Sequence, residues 1–162
     1  MQVVTADDRA VDDSGWVTSR TQRHYPATLP PASTLCWRVR VSLSNDTSAT
    51  SPYSACLPFD TAPDDTVLGR GEWIGGHGQL RGDFEFPTDA SHVTRARMYA
   101  TGVGAFYAFV NGERVGDDIM SPPQSVYHSR VLYTTYNVTQ QLVQSGGTKH
   151  TVGVLLGNVK WG

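Results

Sequence analysis

The sequence predicts an all-β chain built as two modules, and three observations predict it. Apolar residues alternate with polar ones over short stretches along the whole chain, with no helical period of useful length. Asn111-Gly112, the pair that most favours a two-residue type I′ turn, sits between alternating runs. Between residues 61 and 71 the composition changes to TAPDDTVLGRG, which has no periodicity and reads as a linker between domains. The boundary falls near residue 68, giving modules over residues 1–67 and 68–162.

In the first module, turn residues separate extended candidates at 2–5, 15–19, 24–28, 35–42 and 52–61. The clearest is LCWRVRVSL. Trp37, Val39, Val41 and Leu43 share one face and Cys36, Arg38, Arg40 and Ser42 the other, so the spacing predicts a strand with one buried and one wet face. SPYSACLPF returns as its antiparallel partner, and its two prolines suit an edge strand. A hairpin turning near Thr47 sets residue 36 opposite residues 58–60 and not opposite Cys56, which argues against a bridge between the only two cysteines.

The second module starts at Trp73-Ile74-Gly75-Gly76 and continues with a strand over 79–86. A meander over 95–112 follows, in which 97–100 and 105–110 are strands joined by Gly102-Val103-Gly104. Phe106, Ala108 and Val110 share a face with Met98, and Tyr99, Tyr107 and Phe109 form an unusually apolar opposite face that suits a neighbouring domain. A loop over 117–125, strands over 130–136 and 151–156, and a single helical turn within 138–143 complete the module. Val152, Val154 and Leu156 share a face.

Composition narrows the function classes. A formal charge of −2 over 162 residues gives no electrostatic reason to expect nucleic acid or an anionic membrane as partner. The acidic N-terminal stretch lacks the basic start and apolar run of a secretory signal, which favours the cytoplasm, and the sequons at Asn45 and Asn137 then read as accidental. The five histidines show no zinc-ligand spacing and read as surface residues. The glycines between 69 and 78 precede no helix, so no phosphate loop is expected.

The motifs, taken in order, resemble the non-catalytic N-terminal region of bacterial-type α-L-rhamnosidases. The match rests on Trp73-Ile74-Gly75-Gly76, Leu80-Arg81 before Phe84, the segment 97–104, the segment 109–116, Arg130-Val131-Leu132-Tyr133, the segment 135–139 and Leu155-Leu156-Gly157-Asn158. WRVRV followed by SPYSACLPFDT is similar to the last strands of the fibronectin-III-like domain that precedes this region in such enzymes. The resemblance implies a partial fibronectin-III-like sandwich followed by a partial jelly roll, with the inverting hydrolysis in a separate (α/α) barrel outside this chain. No acid here takes a catalytic role by resemblance.

The same resemblance implies a rhamnose-containing carbohydrate as ligand, on Tyr127, Asn158 and Trp161, and a calcium ion at Asn111 and Asn158. Two departures weigh against both. Pro122-Pro123-Gln124-Ser125-Val126-Tyr127 replaces a Pro-Gly-Trp-Thr-Asp-Tyr segment, removing an aromatic and an acid, and Val159-Lys160 interrupts the approach to Trp161. Val110 supplies no carboxylate beside Asn111, whereas calcium takes about six to eight oxygens. Asn111 is more simply explained as a turn residue, Asp117-Asp118 as a solvated loop, and Trp73 and Tyr133 as core.

Overall fold

The computed structural model describes residues 1–18, 28–42 and 48–157. The chain is all-β with short helical insertions, and its contacts divide it into two compact units, Met1–Glu72 and Trp73–Gly162.

The first unit holds one antiparallel sheet of β1 (Gln2–Val4), β2 (Ala10–Asp13), β3 (Thr34–Arg38) and β4 (Leu57–Asp60), in the order β2-β1-β3-β4. The proline-bearing strand lies at an edge, where a missing N–H costs no ladder bond. Val3, Val4 and Leu35 are the buried apolar residues here among those described. Contrary to the alternation argument, Trp37, Val39 and Val41 are 36, 37 and 66% exposed, and Leu43 lies outside the described residues. The alternation is real, but no second layer among the described residues covers that face. Residues 15–18 are not a strand, β2 lies earlier in the chain, and the 24–28 candidate falls almost wholly outside the described residues.

The cysteines correct the sequence reading. Cys36 does stand opposite Pro58, yet Cys36 and Cys56 are disulfide-bonded with their Cα atoms 5.5 Å apart. Trp37 pairs with Leu57, whereas Val39 exchanges bonds with Ser54. One residue on one strand therefore faces two on the other, and this bulge brings Cys56 to Cys36. A register count that assumes a regular ladder cannot see it.

The segment expected to be a linker carries structure and lies within the first unit. Asp64 accepts from the backbone N–H groups of Thr66 (3.1 Å) and Val67 (3.3 Å), capping the one-turn helix α1 (Asp65–Leu68).

The second unit contains a four-stranded antiparallel sheet in the order β5-β10-β7-β8 and a two-stranded sheet β6-β9. The strands are β5 (Gln79–Glu85), β6 (Arg97–Thr101), β7 (Phe106–Val110), β8 (Glu113–Val115), β9 (Tyr133–Asn137) and β10 (Lys149–Leu156). β6 and β7 do not form a meander: β6 pairs with β9, and β7 pairs with β8 and β10. Alternation correctly assigned their faces but says nothing about partners. Gly102-Val103-Gly104 is thus a crossing between sheets.

The core lies between the sheets. Phe106, Ala108 and Val110 from β7 and Val115 from β8 meet Tyr136 from β9, with Met98, Val152, Val154 and Leu156 packed around them. Helix α2 (Thr139–Ser145) runs about two turns, longer than the single turn expected. Asn137 Oδ1 accepts from the Thr139 N–H (3.2 Å) and hydroxyl (2.7 Å) at its start, and Leu142, 2% exposed, anchors it to the core. Gly116 is required twice over, since its φ is +73° and a Cβ there would lie 2.7 Å from the Tyr136 ring.

Candidate functional site

Of the residues expected to form a site, the described ones, Asn111 and Tyr127, lie toward two ends of the second unit. At one end is the β7–β8 hairpin, whose tip follows directly from its sequence. Val110 pairs with Glu113 across two residues, Asn111 at φ 52° and Gly112 at φ 85°, as a type I′ turn requires.

The Asn111 side chain does more than tolerate the turn. Its Oδ1 accepts from the Thr151 N–H at 3.0 Å, and its Nδ2 donates to the Gln141 carbonyl at 3.1 Å and meets His150 Nδ1 at 3.1 Å. The Gln141 oxygen only accepts and the Thr151 N–H only donates, so these two contacts fix which way the amide points. His150 Nδ1 then accepts and its proton sits on Nε2. His150 is 2% exposed beside the Phe84 and Phe86 rings, so this histidine belongs to the core and not to the surface as its isolated position in the sequence suggested. Asn111 ties β7, β10 and α2 together. Its partners lie 30 to 40 residues away, and no local signal identifies them.

This hairpin does not fit the cation that the resemblance implied. Both heads of the Asn111 amide are committed, Val110 is 2% exposed in the core, and the described residues contain no cluster of three His, Cys, Asp or Glu side chains. Gly157 bonds to the Ala105 carbonyl at the far end of β7, about 20 Å along β10 from Thr151 at the strand's rise per residue. Asn158 and Trp161 lie outside the described residues.

At that far end, the Ser121 carbonyl accepts from the Phe106 N–H, and the Ser121 hydroxyl bonds Thr134 at 2.8 Å. The loop so anchored exposes Ile119 (80%), Met120 (73%) and Val126 (65%). Tyr127 lies in the turn that follows, half-buried, where the Val126 carbonyl accepts from the Ser129 and Arg130 N–H groups. That turn leads into β9, where Tyr133 meets Tyr99 edge to face. Tyr133 is 37% and Trp73 66% exposed, so neither is the core residue it was expected to be. On the outer face of the larger sheet, Tyr107 is covered by the Arg114 guanidinium, 4.1 Å from its centroid, so it is less bare than alternation implied.

The perturbed acids are structural ones. Hydrogen bonds from Ser91 and from the Gly147 N–H hold the Asp89 carboxyl below the ordinary aspartate range, and the Thr151 hydroxyl, helped by Arg81, does the same for Asp83. Neither is paired with a second acid in the manner of a general acid and base.

Comparison with known proteins agrees with this fold. Residues 91–161 match the profile described as Alpha-L-rhamnosidase N-terminal domain. Over that stretch the chain is similar to α-L-rhamnosidase N-terminal domains. An α-L-rhamnosidase from Streptomyces avermitilis is 45% identical over 64 residues, a stretch that makes up 40% of this chain and 6% of that protein. An α-L-rhamnosidase from Dictyoglumus thermophilum superposes with a TM-score of 0.80 at 28% identity, over 99% of this chain and 21% of the other. For the Aspergillus terreus enzyme the values are 0.71 and 25%, over 96% and 19%. The chain therefore spans a small part of the rhamnosidases it resembles.

Proposed function

We propose that this chain is a non-catalytic N-terminal module of an α-L-rhamnosidase-like glycoside hydrolase, in which residues 1–67 form a fibronectin-III-like end and residues 68–162 a jelly roll that braces the catalytic barrel. The observation that carries this reading is the coverage: nearly all of this chain superposes on about a fifth of a rhamnosidase. The exposed Ile119, Met120 and Val126 supply apolar surface suited to such a neighbour. Hydrolysis at an inverting centre needs two carboxylates roughly 6.5–9.5 Å apart around the bond, and the acids described above are engaged in a helix cap, a turn and a cross-strand bond. The purified chain is expected to release no rhamnose from an aryl rhamnoside, and measurable release overturns the proposal.

A second reading is recognition of a rhamnose-containing carbohydrate, favoured by the edge-to-face Tyr99–Tyr133 pair beside the Tyr127 turn. Calorimetric titration with rhamnosides tests it, and because the hairpin is occupied by its own hydrogen bonds, any response is expected to be the same with and without calcium. The disulfide supports maturation in an oxidising compartment in preference to the cytoplasm. Among the described residues no helix is long and apolar enough to cross a membrane.

A further inference from the structure

The first unit carries a ladder of guanidinium groups and rings that its fold does not fully use. Arg38 and Arg40 are two residues apart, so their side chains leave the same face of the extended chain. Both reach Tyr53, with 4.5 Å from Arg38 and 4.7 Å from Arg40 to the ring centroid. Their other contacts differ. Arg38 donates to Asp8 at 2.7 Å and twice to Gln2 Oε1, at 2.9 and 2.7 Å, so its donors fasten β1 and the turn after it. Arg40 instead lies over a second ring, Trp16, at 5.2 Å, and among the described residues no carboxylate, amide or carbonyl oxygen meets it. Trp16 is 47% exposed and is presented by a held turn: Gly15 has φ +61°, and its N–H donates to Asp13 Oδ1 at 2.8 Å. The second oxygen of Asp13 is engaged by Gln2 at 3.4 Å.

We propose that Trp16, Arg40 and Tyr53 form a binding site for a carboxylate-bearing sugar residue. A guanidinium held over aromatic rings keeps its rim of N–H donors, and that rim matches a carboxylate in two parallel hydrogen bonds. The two rings hold the guanidinium in place before a ligand arrives, and the exposed Trp16 ring extends an apolar surface on which a pyranose ring packs. Fastening of the fold is already achieved by Arg38, which shares the same ring and has its acceptors. The carboxylate half of the assignment rests on this geometry alone. The sugar half rests on the reading of the chain as a glycoside-hydrolase module.

The test is titration of the full ¹⁵N-labelled chain with glucuronate, galacturonate, glucose, galactose and acetate, following the Arg40 Nε–H and Trp16 indole N–H signals. The expected result is saturable shifts of both signals with a uronate, at least about tenfold weaker binding of acetate, and no response to the neutral sugars. Arg40→Gln abolishes the response, and Arg40→Lys, which keeps the charge but loses the fork, weakens it by about tenfold. Unchanged Val4 and Leu35 signals show that the variants remain folded. No shift with either uronate, or a shift that survives Arg40→Gln, overturns the site. Acetate binding as tightly as a uronate overturns the sugar assignment. None of these results depends on whether the chain releases rhamnose.

Discussion

The two units hold themselves together by different means. Trp73–Gly162 has a continuous apolar core, with Phe106, Ala108, Val110, Val115, Tyr136, Val138 and Leu142 all buried between two sheets and a helix. Met1–Glu72 buries Val3, Val4 and Leu35 among its described residues and leaves Trp37, Val39, Val41 and Leu57 exposed. What it lacks in burial it supplies by other links: the Cys36–Cys56 disulfide, the Arg38–Asp8 ion pair and the packing of Arg38 on Tyr53. At about 25 cal/mol per Å² of apolar surface, a sheet with three buried side chains gains little from water exclusion. A cross-link acts on the unfolded chain instead, and closing a loop of this size contributes about 3 kcal/mol. Small β units thus reach stability by packing or by tying, and this chain does each in a separate place.

Substitutions separate the two strategies, beginning with the strongest. Phe106→Ala is expected to destabilise the second unit by about 4 kcal/mol, because a buried aromatic is lost from the start of β7 and its space cannot collapse between two sheets. Denaturant melts of the variant report it, and a loss below about 1 kcal/mol would mean that the core is less well packed than described. Asn111→Ala is expected to cost about 2 kcal/mol, since the Thr151 N–H and His150 Nδ1 lose their partner and alanine accepts the positive φ poorly. The same melts are expected to be indifferent to calcium in both the parent and the variant. The smallest effect concerns Asp89, whose carboxylate receives the Ser91 and Gly147 N–H groups. Its folded-state pKa lies below the ordinary value, so its contribution is present above about pH 3.9 and is lost as the pH falls through the lower folded value. Asp89→Asn is expected to flatten that acid limb of the stability profile in the second unit and to leave the first unit's unchanged.

Much of this architecture is legible in the sequence, and the illegible parts share a cause. The Asn111-Gly112 hairpin, the buried face of Phe106, Ala108 and Val110, and the shared face of Val152, Val154 and Leu156 follow from turn chemistry and alternation, which are local. The split of β6 and β7 into different sheets is not local, because alternation assigns a face and leaves the partner open. The disulfide depends on a bulge between Leu57 and Ser54, and the burial of His150 depends on Phe84, Phe86 and Asn111 arriving from other strands. At the candidate site, Asn111 was recognisable as a turn residue, but its bonds to Gln141 and Thr151 were not. The Trp16–Arg40–Tyr53 stack joins residues from three separate segments, and only the alternation of Arg38 with Arg40 hints at it.

The contrast between tying and packing is tested most directly by amide hydrogen exchange with and without a reductant. Reduction of Cys36–Cys56 is expected to lower protection of the β1, β3 and β4 amides by about two orders of magnitude, as about 3 kcal/mol corresponds to. Protection in β5, β7 and β10 is expected to stay unchanged. Undiminished protection of β3 and β4 after reduction, or an equal loss in β7 and β10, would contradict the account.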